Sequence, residues 1–450
     1  MARIFTHQSL FTEGNLALAL APALTPVGVV CDPNFFRGFA AYPQVLARGL
    51  LVLADVAATR YFNYTPVALR DPVLSAQGDR LRAECFSACN GVYARLDLLQ
   101  SGFDGKIAFG TTNVDIGMEL RKALTQIKQQ DKLHVNIGED GLTASSISRP
   151  SEYVTRINET IHERPVQMPD TWVRALGNAA GIHRNMKAVF TLKGAQAQAF
   201  VASLPPATGK TQSGWLTPLR TGAKLMPRRT PDAAFVSGLH RLNALKRIMT
   251  NISGMIFYMP SDGEAGPFMA EVELPSTRLT VSLTAEAWRG YSGEGSLLES
   301  LAHQEVVEDA ESISSLLGFD AVVNEKLIAC KWNMDASRLQ AALAVLAVSG
   351  KLGFDAHDQA YFHRELPDDP DRVLKDNPRL VAARKLTDAI KSIGENRWGV
   401  SSNETEYIVF YDPAQGAQQA KCTCTWYLNH QNKRGPCKHI LSVQLREEML

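Results

Sequence analysis

The chain has 450 residues, 47 basic and 46 acidic side chains, a net charge of +1 and a hydrophobic fraction of 45%. These values describe an ordinary globular protein that is too long for a single hydrophobic core, so we expect two to four domains. The seven cysteines are scattered and odd in number, which argues against a disulfide framework and for a reducing, cytoplasmic location.

Residues 15–31 carry no charge and resemble the apolar core of a signal peptide. We favour a buried N-terminal element, because the only cation before this segment is Arg3 and the same region contains Glu13. Pro22 and Pro26 interrupt any helix long enough to span a bilayer. We therefore expect no membrane partner.

The N-terminal region, residues 1–180, combines two periodicities. Leu120, Leu124 and Ile127 have helical spacing, whereas Leu133, Val135 and Ile137 alternate as in a strand. We predict a mixed α/β domain here, as the first part of an α+β multidomain chain.

Four polar residues of this domain are candidates for an enzyme's active site, namely Arg95, Asp97, Asn113 and Asp115. Asn113 and Asp115 equally suit a turn whose side chains hydrogen-bond its own backbone, and we prefer that interpretation. The sequence contains no nucleophile elbow and no two-histidine helix motif. An enzyme is therefore an alternative and not the leading hypothesis.

The middle region, residues 181–302, begins with a strongly basic segment. Residues 181–250 contain one acid, Asp232, and eleven bases: Arg184, Lys187, Lys193, Lys210, Arg220, Lys224, Arg228, Arg229, Arg241, Lys246 and Arg247. Such a segment can neutralise phosphates of DNA or RNA, with Trp215 available to stack on a base. The alternative is a surface that docks an acidic protein or the acidic parts of this chain.

Within this segment, Thr208-Gly209-Lys210-Thr211 superficially suggests a nucleotide-binding P-loop. The first glycine of that motif would fall at position 204, which is leucine, and Pro205-Pro206 indicates a loop. We therefore expect no ATP binding here.

Residues 303–395 read as a winged-helix-like domain. Helical spacing is found at Val306, Ala310, Ile313 and Leu317 and again at Leu339, Leu343 and Leu346, and a hairpin pattern follows Gly350. The third helix carries a single cation, Arg338, whereas a helix that reads the DNA major groove usually offers more donors. We predict a packing or protein-interaction role for it.

The last region, residues 396–450, contains Cys422-Thr423-Cys424 and, twelve residues later, Cys437-Lys438-His439. Four soft ligands in two close pairs predict a tetrahedral structural Zn²⁺ site. His430 lies between the pairs and could compete, but we favour His439, because its approach is fixed by the nearby cysteine. A β-hairpin followed by a helix is expected around the metal.

This C-x-C and C-x-H spacing resembles the SWIM zinc finger. The resemblance implies that Cys422, Cys424, Cys437 and His439 are the zinc ligands, and that the finger contacts DNA or protein.

Further segments are similar to bacterial SWIM zinc finger family proteins, among them residues 91–99, 110–115, 289–295 and 361–367. The resemblance implies a multi-component cytoplasmic system with a MoxR-type AAA ATPase and a von Willebrand A-domain protein as partners. It implies no reaction.

Two functions follow as hypotheses. The leading one is a zinc-binding adaptor or substrate-recognition component of an ATPase-associated system. The alternative is a nucleic-acid-binding protein that uses the basic segment together with the finger residues Lys433, Arg434 and Lys438.

Overall fold

The structure is a computed structural model that describes residues 34–63, 72–138, 141–147, 159–163, 170–293, 295, 306–366 and 378–447, with short strands at 10–12, 15–17, 23–25, 28–30 and 65–66. The N-terminal elements are β1 (Leu10–Thr12), β2 (Asn15–Ala17), β3 (Ala23–Thr25), β4 (Gly28–Val30), β5 (Asn34–Ala40), α1 (Pro43–Ala57), β6 (Thr59–Arg60) and β7 (Thr65–Pro66). The side chains of residues 15–31 lie outside the described residues.

The next elements are mainly strands. They are β8 (Val73–Gln77), β9 (Arg80–Phe86), β10 (Val92–Leu99), β11 (Phe103–Ile107), β12 (Phe109–Asn113), α2 (Met118–Gln126), β13 (Lys132–Gly138), β14 (Gly141–Ile147) and β15 (Glu159–Glu163). Helix α2 and strand β13 occupy the positions that the two apolar periodicities predict.

The middle region also contains both helices and strands. Its elements are α3 (Asp170–Arg184), β16 (Met186–Lys193), α4 (Gly194–Ser203), β17 (Ser213–Leu219), β18 (Gly222–Met226), β19 (Ala234–Ser237), a 3-10 helix (Leu239–Asn251), β20 (Gly254–Pro260), β21 (Phe268–Leu274) and β22 (Thr277–Leu283). Residues 208–211 follow helix α4 and lead to strand β17, so they lack the strand-to-helix setting of a P-loop.

The C-terminal elements are α5 (Val306–Ser314), α6 (Glu325–Trp332), α7 (Ala336–Val348), β23 (Leu352–Asp355), β24 (Ala360–His363), α8 (Pro378–Arg384), β25 (Ile390–Gly394), β26 (Arg397–Ser402), β27 (Thr405–Phe410), β28 (Lys421–Cys422), α9 (Thr425–His430) and α10 (Lys438–Glu447). The predicted mixture of α and β structure over several units is confirmed. Three helices and a hairpin do follow one another over residues 306–363, while the winged-helix class itself stays a prediction.

An eight-stranded antiparallel sheet organises the first two-thirds of the chain, in the order β12-β8-β9-β10-β22-β21-β20-β16. Its central pairing joins β10 to β22, with Val92 opposite Leu283. The predicted domain boundary at residues 180 and 181 therefore falls inside one folding unit, because strands from both sides of it share this sheet. A five-stranded sheet, β11-β5-β13-β14-β15, and a three-stranded sheet, β18-β17-β19, complete this part.

The two faces of the eight-stranded sheet differ in chemistry. Successive side chains of a strand point to opposite faces. On β9 and β10, Ala83 and Leu96 belong to the large apolar core that includes helix α1, whereas Arg82 and Asp97 point to the other face. That polar face is nevertheless buried, because the hairpin β23–β24 covers it. Ion pairs thus contribute to the packing of this second face, beside a small apolar cluster that includes Met269 and Ala356.

The C-terminal sheet has the order β25-β26-β27-β28. The predicted boundary at residues 395 and 396 lies between β25 and β26, which are neighbours in this sheet. Helix α10 packs on two cores at once. Ile440 and Val443 belong to the core of the C-terminal sheet, and Leu441 and Leu445 belong to the core of helices α5 and α7. The C-terminal sheet is thus built into the rest of the chain.

No helix among the described residues combines the length and the apolar character needed to cross a bilayer.

Candidate metal centre

The four predicted metal ligands come together near the end of the chain. One ligand atom from each of Cys422, Cys424, Cys437 and His439 lies within 4.8 Å of the other three, and all four residues are buried. The Nδ1 atom of His439 is 3.8 Å from Cys422 Sγ. In a tetrahedral site with metal–ligand bonds of about 2.0–2.3 Å, neighbouring ligand atoms lie roughly 3.6–3.8 Å apart. The cluster therefore has the size that one metal ion requires.

Regular structure positions each ligand. Cys422 ends strand β28, where it pairs with Val409 of β27, and Cys424 is the N-cap of helix α9. Cys437 directly precedes helix α10, whose first turn contains His439. The chain enters this helix through Gly435 and Pro436, and proline is favoured near a helix start because its missing N–H is not needed there.

Each cysteine sulfur accepts a backbone N–H bond at 3.4 Å. The donors are the amides of Cys424, Tyr427 and Ile440, which point at Cys422, Cys424 and Cys437 respectively. Hydrogen bonds to sulfur favour its negative form. The backbone is therefore arranged to hold thiolates, the form in which cysteine binds a metal.

The thiols also influence one another. Side-chain hydrogen bonds with Cys424 and Cys437 hold the pKa of Cys422 far above its ordinary value, whereas hydrogen bonds with Cys422 and Cys437 hold that of Cys424 far below. Because one negative sulfur opposes ionisation of its neighbours, the three sulfurs need a cation between them to be thiolates together. The donor set thus fits a divalent metal ion.

The imidazole of His439 is fixed by packing. Its ring stacks on Tyr407 with centroids 4.3 Å apart, and its buried Nε2 has no hydrogen-bond partner among the described residues. The ring nitrogen that faces the cysteines is Nδ1, so Nδ1 is the atom through which this buried imidazole would bind a metal. His430 is outside the cluster, where its ring packs against Trp426 at 4.4 Å.

The loop between the two ligand pairs is docked on the rest of the molecule. Arg379 Nη1 donates to the carbonyl oxygen of Arg434 at 2.8 Å, and the guanidinium of Arg379 lies 4.5 Å from the centre of the Trp426 ring. A Cβ atom on Gly435 would lie 2.0 Å from the carbonyl oxygen of Gly295. The metal centre and the segment at Gly295 are therefore in direct backbone contact.

The predicted anion-binding residues separate into groups. Those that are exposed and form no salt bridge with a described residue are Lys210, Arg220, Lys224, Arg228, Arg229, Lys246 and Lys433. Lys438 donates to Ser402 Oγ at 3.0 Å, and Arg434 lies 5.2 Å from the Trp426 ring centre. Arg247 forms an ion pair with Asp55.

Arg241 does not belong to a binding surface. It is fully buried, and its guanidinium donates to the carbonyl oxygens of Ser237, Gly91 and Thr284 at 2.9, 3.0 and 2.8 Å. Burial lowers its pKa to about 10, because the charged form loses its contact with water. The N–H donors of Arg241 hold three chain segments together. The sequence-based expectation that Arg241 contacts an anion is therefore corrected.

The four candidate enzyme residues are not gathered in one place. Asn113 lies on edge strand β12, and β8 and β9 separate it from Arg95 on β10. Three strand spacings correspond to roughly 14 Å between the two backbones. Arg95 instead binds Asp97 at 2.8 Å inside the structure. Asp115, just after β12, shares its surroundings with Glu163, whose pKa is raised by burial and by this neighbouring carboxylate.

Arg95 and Asp97 are part of a buried ion-pair network that the sequence did not predict. The carboxylate of Asp355 accepts from Arg82, Arg95 and Arg278 at 2.8, 2.9 and 3.1 Å. Burial alone would raise the pKa of Asp355, but the three guanidinium groups hold it well below its ordinary value. A second pair, Arg364 with Glu84 at 2.9 Å, is buried as well. The available signal was the presence of charges two residues apart in strands that are otherwise apolar, as in β9 and β10.

No protein-family model matches the sequence, and no curated protein matches it. Among solved structures, the chain is similar to proliferating cellular nuclear antigen from Entamoeba histolytica, with a TM-score of 0.37 and 11% identity over 56% of this chain and 98% of that one. It is also similar to the PCNA2–PCNA3 complex from Sulfolobus tokodaii, with a TM-score of 0.38 and 9% identity over 55% and 98% of the two chains. Similarity this weak says nothing about what this chain binds.

Proposed function

We propose that Cys422, Cys424, Cys437 and His439 bind one Zn²⁺ ion and that the ion has a structural role. Three sulfurs and one imidazole match the ligand set and coordination number of closed zinc sites. All four ligands come from the protein, so no position is left for a reacting water. Zinc in this centre would hold the finger in shape and take no part in a reaction.

We infer that the protein acts by binding, as an adaptor or substrate-recognition component. The observation that carries this proposal is the closed, fully buried metal centre, whose helix α10 and loop at Gly435 are both packed on neighbouring parts of the chain. Such a finger presents a rigid surface. The resemblance to SWIM proteins supplies the candidate partners, a MoxR-type AAA ATPase and a von Willebrand A-domain protein.

The test uses the full-length protein, tagged and purified from its native cell, with Cys437→Ser compared against Cys330→Ser. Cys330 is exposed and outside the cluster, so its variant controls for loss of a thiol. We expect one zinc per chain and recovery of an AAA ATPase with the wild type and with Cys330→Ser, and loss of both with Cys437→Ser. Retention of stoichiometric zinc by Cys437→Ser would refute the ligand assignment, and the same partners recovered without zinc would refute the role of the finger.

A second candidate function is nucleic-acid binding. It is favoured by the exposed cations of the basic segment that form no salt bridge with a described residue, such as Arg220, Lys224 and Arg228. Titration of the protein with DNA and RNA at two salt concentrations tests it, because phosphate contacts make affinity fall steeply as salt rises. Absent or salt-insensitive binding would eliminate this candidate.

A further inference from the structure

The three-stranded sheet β18-β17-β19 has two faces of opposite character. Leu216 and Val236 point to one side and are fully buried in the main core. Because side chains alternate along a strand, Trp215 points to the other side, where Phe235 is its cross-strand neighbour on β19, although the partly buried Trp215 side chain still contacts the main core. Lys224 of β18 pairs with Thr217, two residues along β17 from Trp215, and therefore lies on this same side. We call this side the outward face.

Aromatic rings and a cation meet on the outward face. The rings of Trp215 and Phe235 are 5.4 Å apart and inclined by 69°, and both side chains are half-buried. The guanidinium carbon of Arg229 lies 5.1 Å from the centre of the Trp215 ring. This combination of two neighbouring rings with positive charge is the one that stacks bases and attracts phosphates.

The chain segment that carries the outward face is strongly basic. Residues 205–231 contain five basic side chains and no acid. All five are exposed, and none forms a salt bridge with a residue that the structure describes: Lys210, Arg220, Lys224, Arg228 and Arg229. Arg229 also lies close to Gly263, whose neighbours Asp262 and Glu264 are acidic. Arg220 lies in the turn of the β17–β18 hairpin and Lys224 lies on β18, so these two cations are the better probes of this surface.

We propose that the outward face binds single-stranded nucleic acid, with bases stacked on Trp215 and Phe235 and phosphates contacted by Lys224 and Arg220. The proposal rests on the second candidate function and assigns it a surface and a ligand class. Unpaired bases are required, because bases stacked within a duplex do not offer their faces to a side chain. An acidic protein would use the cations but would have no comparable need for the rings.

The test is fluorescence anisotropy of the full-length protein with labelled oligothymidine and oligouridine of about 12 nucleotides, a length that spans one such site. We expect Trp215→Ala to weaken binding about tenfold, as for loss of one stacked base, and Trp215→Phe to retain most of the affinity. The double variant Arg220→Ala/Lys224→Ala should weaken binding and reduce the salt dependence by about two counterions. Lys326→Ala/Lys331→Ala, two exposed lysines on α6, is the matched control and should behave as wild type.

The outcomes separate the surface from the function. If the wild type binds neither oligonucleotide, the second candidate function fails and this proposal fails with it. If the wild type binds but the Trp215 and Arg220/Lys224 variants bind equally well, while Lys433→Ala weakens binding, nucleic-acid binding stands and the outward face is the wrong surface. Competition by polyglutamate that is unaffected by Trp215→Ala would identify an acidic protein surface and overturn the proposal. Circular dichroism of each variant verifies that the fold is retained.

Discussion

Arg82 and Asp355 are 273 positions apart in the sequence, yet the guanidinium of Arg82 donates to the Asp355 carboxylate at 2.8 Å in the interior. The contact joins strand β9 to the hairpin β23–β24. It shows that the polar face of the large sheet is an internal interface where β9 meets this hairpin.

Substitution of Asp355 by asparagine should destabilise the protein by about 3–5 kcal/mol, because it leaves buried guanidinium groups of Arg82, Arg95 and Arg278 without their shared anion. Urea unfolding at neutral pH measures the loss. Asp104→Asn, at an exposed position of β11, is the control and should stay within about 0.5 kcal/mol of wild type. Equal stability of the two variants would show that the network contributes nothing.

The same carboxylate predicts an acid limit to stability. Because the folded-state pKa of Asp355 lies below its ordinary value of 3.8, its contribution is present above that value and is lost as pH falls through the folded-state pKa. The difference in urea midpoint between wild type and Asp355→Asn should therefore be constant near neutrality and shrink only in strong acid. A difference that already shrinks at mildly acidic pH would contradict the depressed pKa.

For His357 we expect a dependence of stability on pH that has the opposite sign. Its Nδ1 lies 2.6 Å from Glu271 Oε1, and this hydrogen bond raises the pKa of the imidazole above 6.5 despite partial burial. The contribution is complete below 6.5 and is lost as pH rises through the folded-state pKa. Thermal melts of wild type and His357→Gln should differ in weak acid and converge in weak base. Curves that stay parallel over this range would rule out the proposed titration.

Gly435→Ala should undock the finger. Its φ of 77° is unfavourable for alanine, and the added Cβ would lie 2.0 Å from the Gly295 carbonyl oxygen. Gly194 also has a positive φ, of 46°, but nothing lies within 4 Å of a Cβ added there. Gly194→Ala therefore measures only the cost in unfolding free energy of placing alanine at a positive φ. We expect about 1 kcal/mol for Gly194→Ala and clearly more for Gly435→Ala by urea unfolding. Equal losses of unfolding free energy in the two variants would mean that the finger can move away from Gly295 without destabilising the protein.

Removal of the metal should destabilise structure beyond the finger. Helix α10 presents Leu441 and Leu445 to the core of helices α5 and α7, so loosening the finger also exposes that core. Hydrogen exchange after chelation should increase in residues 438–447 and also in helix α7, with β9 and β10 unchanged. Increased exchange confined to residues 421–447 would show that the two cores are independent.

The sequence allowed the metal cluster to be predicted because its information is local. Spacing within eighteen residues was enough to select His439 over His430, and the strand β28 and helix α10 hold the chosen four residues together. Helix α2 and strand β13 were also predictable, because each shows its own apolar period. Local sequence patterns thus predict single helices and strands together with the turns that adjoin them.

The ion-pair network was beyond sequence-based prediction for the opposite reason. Asp355 meets Arg82 only because two distant segments pack face to face, and no local spacing records that. The basic segment shows a related limit of sequence-based prediction, because Arg241 and Arg220 cannot be distinguished from the sequence. Only the fold separates the buried guanidinium from the exposed one.

The pairing of β10 with β22 has a consequence for synthesis. Val92 and Leu283 are neighbours in the sheet, so most of the chain must leave the ribosome before the centre of the sheet can close. Until then, β10 has β9 on one side and an open edge on the other, which is the kind of edge that recruits other chains. Production of this protein should therefore be sensitive to translation speed and to chaperones that cover strand edges, and fragments that end before residue 283 should aggregate.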